Sequence, residues 1–498
     1  MNLNDFPILS ITTFEPLLGA LILTLISRKN LRLIRYSAAF FTGISIILSL
    51  IVTLNYDVAV GGMQFVERMD WLPNLGVSYY LGVDGISIPM VLLTSVLGFA
   101  AVYTSWYTED RSKEFFFLLQ TLMTGLIGTF VTRDLVVFFL FFEVVVIPIF
   151  LMIIMWGTTK QLTKEYAGMK LTIYLLIGSA ILLVSIIMIF VRAYQMTGVP
   201  TMELDALAQI EFSPSFSMFA FCLMAFCFCT LISMFPFHAW SPDGHVAAPT
   251  AVSMLHAGVL KSIGAYGMIR VALYLFPETA RMAFPVIAVL GVIGVIYAAY
   301  ICINMKDLKY VVGFASVSHM GYVIIGIAAF NAISLNAAVM MMFAHGLMAG
   351  LFFSMVGTLY HKAHTRMIDD FSGLAHHMPR LSVGFMIAGL ASLGLPGMIN
   401  FVAEFSTFVG TYQTFHVVGV LTCCGIVFAS VYNLRAVTDI LYGPKMDKWA
   451  NLKDLDVPEM VPLVVLGAAI FLGGIYPGPL LSMINGSVVD LLTAIGML

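Results

Sequence analysis

A small set of ionisable side chains lies inside long apolar segments of this sequence, and these are side-chain types that carry protons. Glu143 is surrounded by apolar residues in FFLFFEVVVIPIF, and Lys261 lies in AGVLKSIGAYG. Burial disfavours the charged form of such a group, and a neighbouring charge that approaches or leaves shifts the balance again. These groups could therefore take up and release protons as charges move around them. The candidate residues are Glu143, Lys170, His238, His256, Lys261, His319, His345 and Glu404.

Each candidate also has a structural interpretation. Glu143 and Glu404 could be neutral or ion-paired carboxyl groups that only pack, and Lys170 could extend to the membrane surface. A single buried histidine could likewise be a hydrogen-bonded structural residue. The functional interpretation is favoured because an ionisable residue inside a membrane is costly and usually faces a path within the protein. His319 and His345 in consecutive apolar segments, with Glu404 in the next, would form a series of titratable steps.

The composition indicates the class of protein that holds these residues. Hydrophobic residues make up 60% of the 498 positions and charged residues 10%, and the mean hydropathy is +0.98. These values suit a polytopic helical bundle and exclude a soluble globule. We expect an all-α membrane protein with about fourteen transmembrane helices, since an apolar window of about 20 residues spans the hydrocarbon core. The predicted spans lie near residues 7–26, 33–54, 84–106, 115–131, 135–155, 168–192, 216–236, 247–276, 283–304, 310–330, 334–359, 382–414, 417–441 and 459–482.

Proline and glycine interrupt two of these segments. Pro236, Pro242 and Pro249 lie in LISMFPFHAWSPDGHVAAPT, and Gly394 and Pro396 lie in SLGLPGMINFVAE. A broken helix at membrane depth is tolerated only where protein or water lines it. The two breaks are five spans apart, as in an inverted pair of five-helix repeats around an ion or substrate path. We predict N-terminal helices 1–3 over residues 1–114, a first repeat (helices 4–8) over 115–276, an inverted second repeat (helices 9–13) over 283–441, and a C-terminal loop with helix 14 over 442–498.

Lysine and arginine residues cluster in alternate loops. Loops rich in these residues usually stay in the cytoplasm, so both termini are predicted to lie outside. The first apolar run precedes its charges, which is typical of a retained span and not of a cleaved signal. The basic residues of the predicted cytoplasmic loops are Arg28, Lys29, Arg32, Arg35, Arg111, Lys113, Lys160, Lys164, Lys306, Lys309, Lys362, Arg366, Arg380, Lys445, Lys448 and Lys453.

The sequence indicates no cofactor site in this chain. Its six cysteines fall in apolar segments without C-x-x-C spacing and are interpreted as packing residues. No G-x-G-x-x-G motif follows a predicted strand, and no cysteine cluster suits iron and sulfur. One loop contains a histidine cluster for which a solvated surface and a metal site both stay open. Its members are His361, His364, His376 and His377.

Six strings of this sequence carry a resemblance to a known family. They are LGVDGISIPMVLLT (81–94), FFLFFEVVVIPIF, FPFHAWSPDGHVAAPTAVSMLHAGVLKSIGAYG, SVSHMGYVIIG, FAHGLMAGLFFSMVGTLYHKAHTR and LGLPGMINFVAEF. They resemble the chain M family of respiratory complex I, which includes mitochondrial subunit 4 and the cyanobacterial D chain, over roughly residues 80–440. The resemblance implies an antiporter-like, proton-translocating subunit with fourteen helices, two inverted five-helix repeats, and broken seventh and twelfth helices.

The resemblance also implies roles for individual residues. Glu143 corresponds to the family's fifth-helix glutamate, Lys261 to its eighth-helix lysine and Glu404 to its twelfth-helix glutamate. A glutamate at this last position favours chain M over the related chain L. Histidines of the family's polar axis correspond to His238, His319 and His345.

At one position the sequence departs from the family pattern. The pattern Lys-x-Pro-x-x-Pro-x-His reads here LISMFPFH, so Leu231 replaces the seventh-helix lysine that pairs with the fifth-helix glutamate. His256, which lies five residues before Lys261 where the family usually has an uncharged residue, could supply the missing cation. Lys170 is the other candidate for that cation. Alternatively, this half has lost its charge switch and the subunit serves partly as a scaffold.

The function implied by the resemblance is proton translocation by chain M of a NAD(P)H- or ferredoxin-quinone oxidoreductase in the bacterial inner (cell) membrane. NADH or ferredoxin, flavin, iron-sulfur clusters and quinone would be bound by other subunits, so this chain would be a translocase subunit without a redox site. Its partners would be the bilayer and other membrane subunits, especially the antiporter-like chains L and N, with no nucleic acid. The alternatives are a subunit of a multi-subunit cation/proton antiporter or of a membrane-bound hydrogenase.

Overall fold

The computed structural model describes residues 6–158 and 162–497, and the predicted cytoplasmic residue Lys160 lies outside them. The helices of the first half are α1 (Ile8–Leu25), α2 (Leu31–Asn55), α3 (Ser87–Thr104), α4 (Ser112–Val131), α5 (Leu135–Trp156), α6 (Lys164–Thr197), α7 (Leu204–Leu207), α8 (Pro214–Ile232), α9 (Trp240–Ala247), α10 (Thr250–Leu255) and α11 (Lys261–Gly267). The helices of the second half are α12 (Pro277–Asn304), α13 (Leu308–Ala328), α14 (Ala332–Ala363), α15 (Pro379–Ser392), α16 (Ile399–Thr414), α17 (His416–Leu441), α18 (Val457–Ile475) and α19 (Gly478–Ala494). The strands are β1 (Gln64–Leu72) and β2 (Val77–Val83), which pair antiparallel.

These helices confirm the expectation of an all-α, multi-pass membrane protein. Within residues 6–158 and 162–497, 12 helices are long and apolar enough to cross a membrane. The two interrupted regions, α9 to α11 and α15 to α16, are built from shorter helices and are not among the 12. The count of about fourteen spans and the division into repeats over residues 115–276 and 283–441 stay predictions.

Helices α13 and α14 form the centre of the bundle. The most apolar window of α14 is 100% buried inside the protein and that of α13 is 94% buried, whereas those of α2 and α18 are each 28% buried. A helix that is apolar on all sides is stable in the interior, while a peripheral helix presents one face to lipid. His319 on α13 and His345 on α14 are therefore shielded from the bilayer by the surrounding helices.

The first predicted break is present between α8 and α9. Ser233 ends α8 in a left-handed conformation with φ 66°, and Pro236 follows in the connecting segment. Trp240, the first residue of α9, donates its indole N–H to the carbonyl oxygen of Thr230 at 3.1 Å. This bond satisfies one of the acceptors that the end of a helix leaves free. The break is thus lined by protein, as the prolines predicted.

The second predicted break lies between α15 and α16, where Gly394 and Gly397 have φ values of 72° and 93°. A side chain is strained in this conformation, and glycine is not. Gly394 has a further reason to lack a side chain, because a Cβ atom there would lie 3.0 Å from Cδ of Glu404. The break therefore makes room for the Glu404 carboxyl group.

Two π-helical turns flank Lys261 and were not predicted. The first, His256–Leu260, joins α10 to α11, and the second, Met268–Leu273, extends α11, so residues 250–273 form one continuous helical rod. The amide of Lys261 bonds to the carbonyl of His256, five residues back. Such turns contain one extra residue and often occur at functional sites. Apolar periodicity gives no signal for them, since the residues are buried on every side.

The β1–β2 hairpin and the short C-terminal helix α19 were not predicted from the sequence. The hairpin brings Glu67 to the start of α1, where its carboxylate accepts the backbone N–H of Leu9 at 2.7 Å, as favoured at a helix N-terminus. Residues 442–498 contain both α18 and α19. Ser487 of α19 accepts the backbone N–H of Gly85 at 2.7 Å. Short amphipathic elements of this kind lack the long apolar run that identifies a span.

The approach of α11 to α8 depends on Gly264. A Cβ atom at this position would lie 2.7 Å from the carbonyl oxygen of Phe228 and 2.8 Å from Cβ of Leu231. Small residues at helix crossings allow such backbone contact in membranes. One turn before Gly264, Lys261 is held at a fixed depth by this contact.

We predict that Gly264→Ala lowers the free energy of unfolding of the purified protein by about 1–3 kcal/mol, the usual cost of overpacking. The matched control is Gly178→Ala on α6, which also faces α8, but its Cβ atom would meet no atom closer than Sγ of Cys227 at 3.6 Å. Thermal unfolding in detergent measures the stability of both variants. Equal stability of the two would contradict the importance of the α8–α11 contact.

Candidate functional site

A buried hydrogen-bonded chain begins at Lys261. The Lys261 side chain has no exposed surface, and its amine donates to Oγ of Ser316 on α13 at 2.9 Å. Oγ of Ser316 lies 2.9 Å from Nε2 of His345 on α14. An amine, a hydroxyl and an imidazole on three different helices are therefore joined without an exposed gap.

The chain continues from His345 to Glu404. The rings of His345 and His319 stack with centroids 5.3 Å apart. Nδ1 of His319 lies 3.5 Å from Oε1 of Glu404, and Nε2 of His319 lies 3.2 Å from Oγ of Ser392. The structure thus brings together four residues predicted from sequence, in the order Lys261, His345, His319, Glu404. We call this set, with Ser316, the Lys261–Glu404 axis.

Several polar atoms along the axis have no hydrogen-bond partner among the described residues. They include Nδ1 of His345, Nδ1 of His319, Oε1 of Glu404 and the side-chain amide of Asn400. Buried polar groups are almost always hydrogen bonded, and ordered water fills the role where protein does not. The axis can therefore hold bridging water between its titratable groups.

Three polar residues of the axis region were missed from the sequence. Ser316, Ser392 and Asn400 are fully buried and contact or adjoin the titratable residues. The signal was present for Ser316, which precedes His319 by one helical turn on the same face of α13. Ser392 had no such signal, because only the chain break at Gly394 brings it to His319.

Glu143 and His238 are not hydrogen bonded to the axis. Glu143 on α5 is only partly buried, and within the described chain its carboxylate has no hydrogen bond or ion pair. His238 is 7% exposed, and its ring packs against Tyr297 and Phe235 with centroids 5.3 and 5.8 Å away. Leu231 is buried against α11, so the position of the missing lysine is filled by apolar packing.

Lys170 does not simply extend to the membrane surface. Its amine lies 2.7 Å from Oδ2 of Asp243 on α9, and the two side chains are 21% and 22% exposed. Tyr310 on α13 donates its hydroxyl to the other carboxylate oxygen at 3.1 Å. Asp243 was not predicted from sequence, although SPDGH places it inside the first break. The group ties α6, α9 and α13 together beside the broken helix.

His256 stacks between two aromatic rings. The centroid of its ring lies 5.1 Å from the ring centroid of Trp240 and 4.0 Å from that of His245. Neither ring nitrogen of His256 has a hydrogen-bond partner among the described residues. The structure therefore pairs His256 with His245, a residue not predicted for the site, and forms no bond between His256 and Glu143.

The histidine-rich loop does not assemble into a metal centre in the part of the chain that the structure describes. No group of at least three His, Cys, Asp or Glu side chains is placed there as metal ligands would be. His361 stacks on Tyr107 with centroids 6.0 Å apart, and Nε2 of His377 lies 3.1 Å from the carbonyl oxygen of Met446.

A second polar cluster anchors the far end of the helical rod that carries Lys261. Arg133 forms an ion pair with Asp205, and the same carboxylate accepts the hydroxyls of Tyr80 at 3.0 Å and Tyr274 at 3.1 Å. Burial works to raise the pKa of Asp205, but Arg133 and the hydroxyl donors together outweigh it and hold that pKa below its ordinary value. The rod is thus fixed to the hairpin and to the start of α5.

Comparison with known proteins gives a consistent picture. The sequence model of the family described as "NADH:quinone oxidoreductase/Mrp antiporter, TM" matches residues 132–429. The chain is 34% identical to "F(420)H(2) dehydrogenase subunit M" of Methanosarcina mazei, with 99% of both chains covered. It is 33% identical to "NADH-quinone oxidoreductase subunit M" of Rickettsia prowazekii, over 98% of this chain and 99% of that protein. A chain of respiratory complex I from Thermus thermophilus superposes with a TM-score of 0.88 at 26% identity, covering 97% of this chain and 99% of the other.

We predict that the Lys170–Asp243 pair stabilises the first break. Lys170→Gln and Asp243→Asn should each lower the free energy of unfolding by about 1–2 kcal/mol, because the remaining half-buried charge loses its partner. The double variant should recover part of that loss. The matched control is the pair Lys306–Asp369, which is 63% and 57% exposed, and whose cycle should give less than about 1 kcal/mol of coupling.

Thermal unfolding of the four variants in each cycle measures the coupling energy. Equal coupling in the two cycles would contradict a structural role for Lys170 at the break.

Proposed function

Because this chain belongs to the NADH:quinone oxidoreductase/Mrp antiporter transmembrane family, we propose that it is the proton-translocating chain M of a complex I type oxidoreductase. Full-length likeness to proteins named subunit M supports this assignment. Such a chain performs no redox step itself. It is one subunit of a translocase whose electron transfer takes place elsewhere.

The observation that carries the proposal is the Lys261–Glu404 axis. It runs through α13 and α14, the most deeply buried of the long apolar helices, and it joins an amine, a hydroxyl, two imidazoles and a carboxyl group. Ionisable groups are costly inside a membrane and mark proton relays when they line up within the protein. A series of four ionisable groups and one hydroxyl has no comparable value as packing, since apolar residues of similar size would pack without the desolvation cost.

Proton movement along the axis follows from the order of its groups. A charge rearrangement elsewhere in the complex changes the electrostatic environment of Lys261 and releases its proton toward Ser316. His345 and His319 pass a proton on, each taking it up at one ring nitrogen and releasing it from the other. Glu404 receives the proton next to the second break, where a non-helical segment separates α15 from α16.

The first half of the chain lacks a comparable connection. Glu143 is the family's charge-sensing carboxylate, but Leu231 stands where its lysine partner would be, and Lys170 is paired with Asp243. We propose that Glu143 still responds to charges in the assembled complex. The second candidate is that this half has become a scaffold, which the apolar packing of Leu231 against α11 favours.

The partners of the chain are other membrane subunits of the complex and the surrounding lipid, with the antiporter-like chains L and N as proposed neighbours. Flavin, iron-sulfur clusters and quinone belong to other subunits. The electron donor depends on the complex that holds the chain, because similar subunits are named for F420H2 dehydrogenase and for NADH-quinone oxidoreductase. Placement in a bacterial cell membrane rests on the likeness to subunit M of Rickettsia prowazekii, and the placement of both termini outside rests on the distribution of lysine and arginine.

We predict that Glu404→Gln lowers the protons pumped per electron at least several-fold in native membrane vesicles, while the complex still assembles. Glutamine preserves the shape of the side chain but cannot take up the proton. The matched control is Glu15→Gln on α1, which removes another buried carboxyl group, bonded to Ser45 and remote in sequence from the axis. Equal pumping by Glu404→Gln and the control would contradict translocation through Glu404.

A separate prediction concerns the first half. Glu143→Gln should lower both pumping and coupled quinone reduction in a fully assembled complex, because the charge that loads the axis would be lost. Pumping driven by quinone reduction in vesicles is the measurement. Unchanged pumping would show that Glu143 is dispensable and that the scaffold interpretation of this half is correct.

A further inference from the structure

We propose that His245 and His256 form a proton-uptake relay that connects a cavity on the lysine- and arginine-rich face to Lys261. The proposal rests on the proposed function and adds the uptake side of the path. It assigns a role to His245, which the sequence did not single out for the site. It also gives His256 a role other than that of a cation paired with Glu143.

The two rings form a tight, enclosed pair. Their centroids are 4.0 Å apart with 28° between the planes, and both side chains are fully buried. Trp240 stacks on His256, and Phe353 packs on His245 with centroids 5.0 Å apart. Aromatic packing therefore holds both imidazoles by their faces and leaves their edges, where the nitrogens lie, for other contacts.

All four ring nitrogens of the pair are buried without a protein partner among the described residues. A buried imidazole that served only to pack would be expected to donate its N–H to a nearby carbonyl or hydroxyl group. Water is the partner that satisfies buried nitrogens where protein does not. A pair of imidazoles linked by water can move protons, because each ring binds a proton at one nitrogen and releases one from the other.

The π-helical turn aligns His256 with Lys261. Residues five positions apart point to different sides of an α-helix, whose neighbours along one face are three or four apart. In the π turn, the amide of Lys261 bonds to the carbonyl of His256, so residues five apart lie one above the other. The two side chains also interact electrostatically. The extra residue of this turn thus directs His256 toward the start of the axis.

A cavity of about 290 Å³ adjoins the segment that follows α9, three residues after His245. Ala248 and Pro249, which directly follow α9 and its residue His245, form part of its wall. At the rim of the cavity Tyr107 and His361 are exposed, so the cavity reaches the surface. Its polar lining residues include Thr104, Thr158, Thr250, Lys309 and Thr358.

Lys309 connects the cavity wall to the pair electrostatically. Its amine donates to the carbonyl oxygen of Ala248 at 2.6 Å, and it interacts with His245 over a longer range. The other charged or titratable groups that act on His245 are His256, Lys261 and His345. Since these groups are all basic, a second proton on the pair would be strongly opposed at 4.0 Å separation. The relay therefore holds one proton at a time.

Each transfer moves one proton and changes no other bond. Water in the cavity gives a proton to one nitrogen of His245, and the other nitrogen of that ring releases its proton to bridging water. His256 takes up this proton and releases one toward the Lys261 amine after Lys261 has passed its own proton to the axis. Both imidazoles are then neutral again.

The first test measures proton pumping by His256→Gln and His256→Leu in native vesicles with confirmed assembly. Glutamine keeps a polar side chain but cannot relay a proton, so both variants should lower the protons pumped per electron at least fivefold. The packing control is Phe353→Leu, which loosens the contact with His245 and leaves the titratable groups in place. Full pumping by His256→Gln would overturn the proposal, and so would an equal loss in Phe353→Leu.

The second test is independent of pumping. In His256→Cys, a small charged methanethiosulfonate reagent added on the lysine- and arginine-rich face should modify the new thiol through the cavity. It should react at least tenfold faster than with Leu260→Cys, a fully buried position on the same rod. Equal rates would overturn the water path. Failure of the proposed function is distinguishable, because it would leave Glu404→Gln pumping normally whatever the thiol reactivity at position 256.

Discussion

The Lys261 amine lies where no solvent reaches it, and its hydrogen bond to Ser316 is the contact on which the arrangement of the bundle depends. A buried amine without a polar partner costs several kcal/mol, so the helices around it must supply polar atoms at defined positions. Ser316 does so from α13, and His345 extends the contact to α14. These two helices can carry polar residues in a membrane because the other helices cover them on all sides.

Backbone irregularity gives this axis its shape. A regular helix would place Lys261 and His256 on different sides, and the π turn brings them into line. A regular helix in place of α15 and α16 would have no room for the Glu404 carboxyl group near Ser392. Both departures from regular geometry occur next to titratable residues, where the freed backbone groups are covered by protein and not by lipid.

The two halves of the chain differ in how their charged groups are connected. In the second half, His345, His319 and Glu404 follow one another within a few ångströms. In the first half, Glu143 stands apart, Leu231 packs against α11, and Lys170 is held by Asp243. The His245–His256 pair lies on the interrupted helical region, and the π turn joins His256 to Lys261. The first half thus has a set of titratable rings at its broken helix, although Glu143 has no hydrogen-bonded partner there.

The sequence by itself determined the class of the protein, the places of both breaks and most residues of the axis. Apolar length identifies a span without knowledge of its neighbours, proline and glycine interrupt a helix wherever it packs, and an ionisable residue in an apolar segment is recognised by its type alone. The tertiary structure decided which of these residues meet. Ser392, Asp243 and His245 join the site through contacts between different helices, and the π turn depends on one extra residue in a rod that is buried all round. Such contacts follow from how helices pack, and a one-dimensional pattern of apolar residues contains no information about that packing.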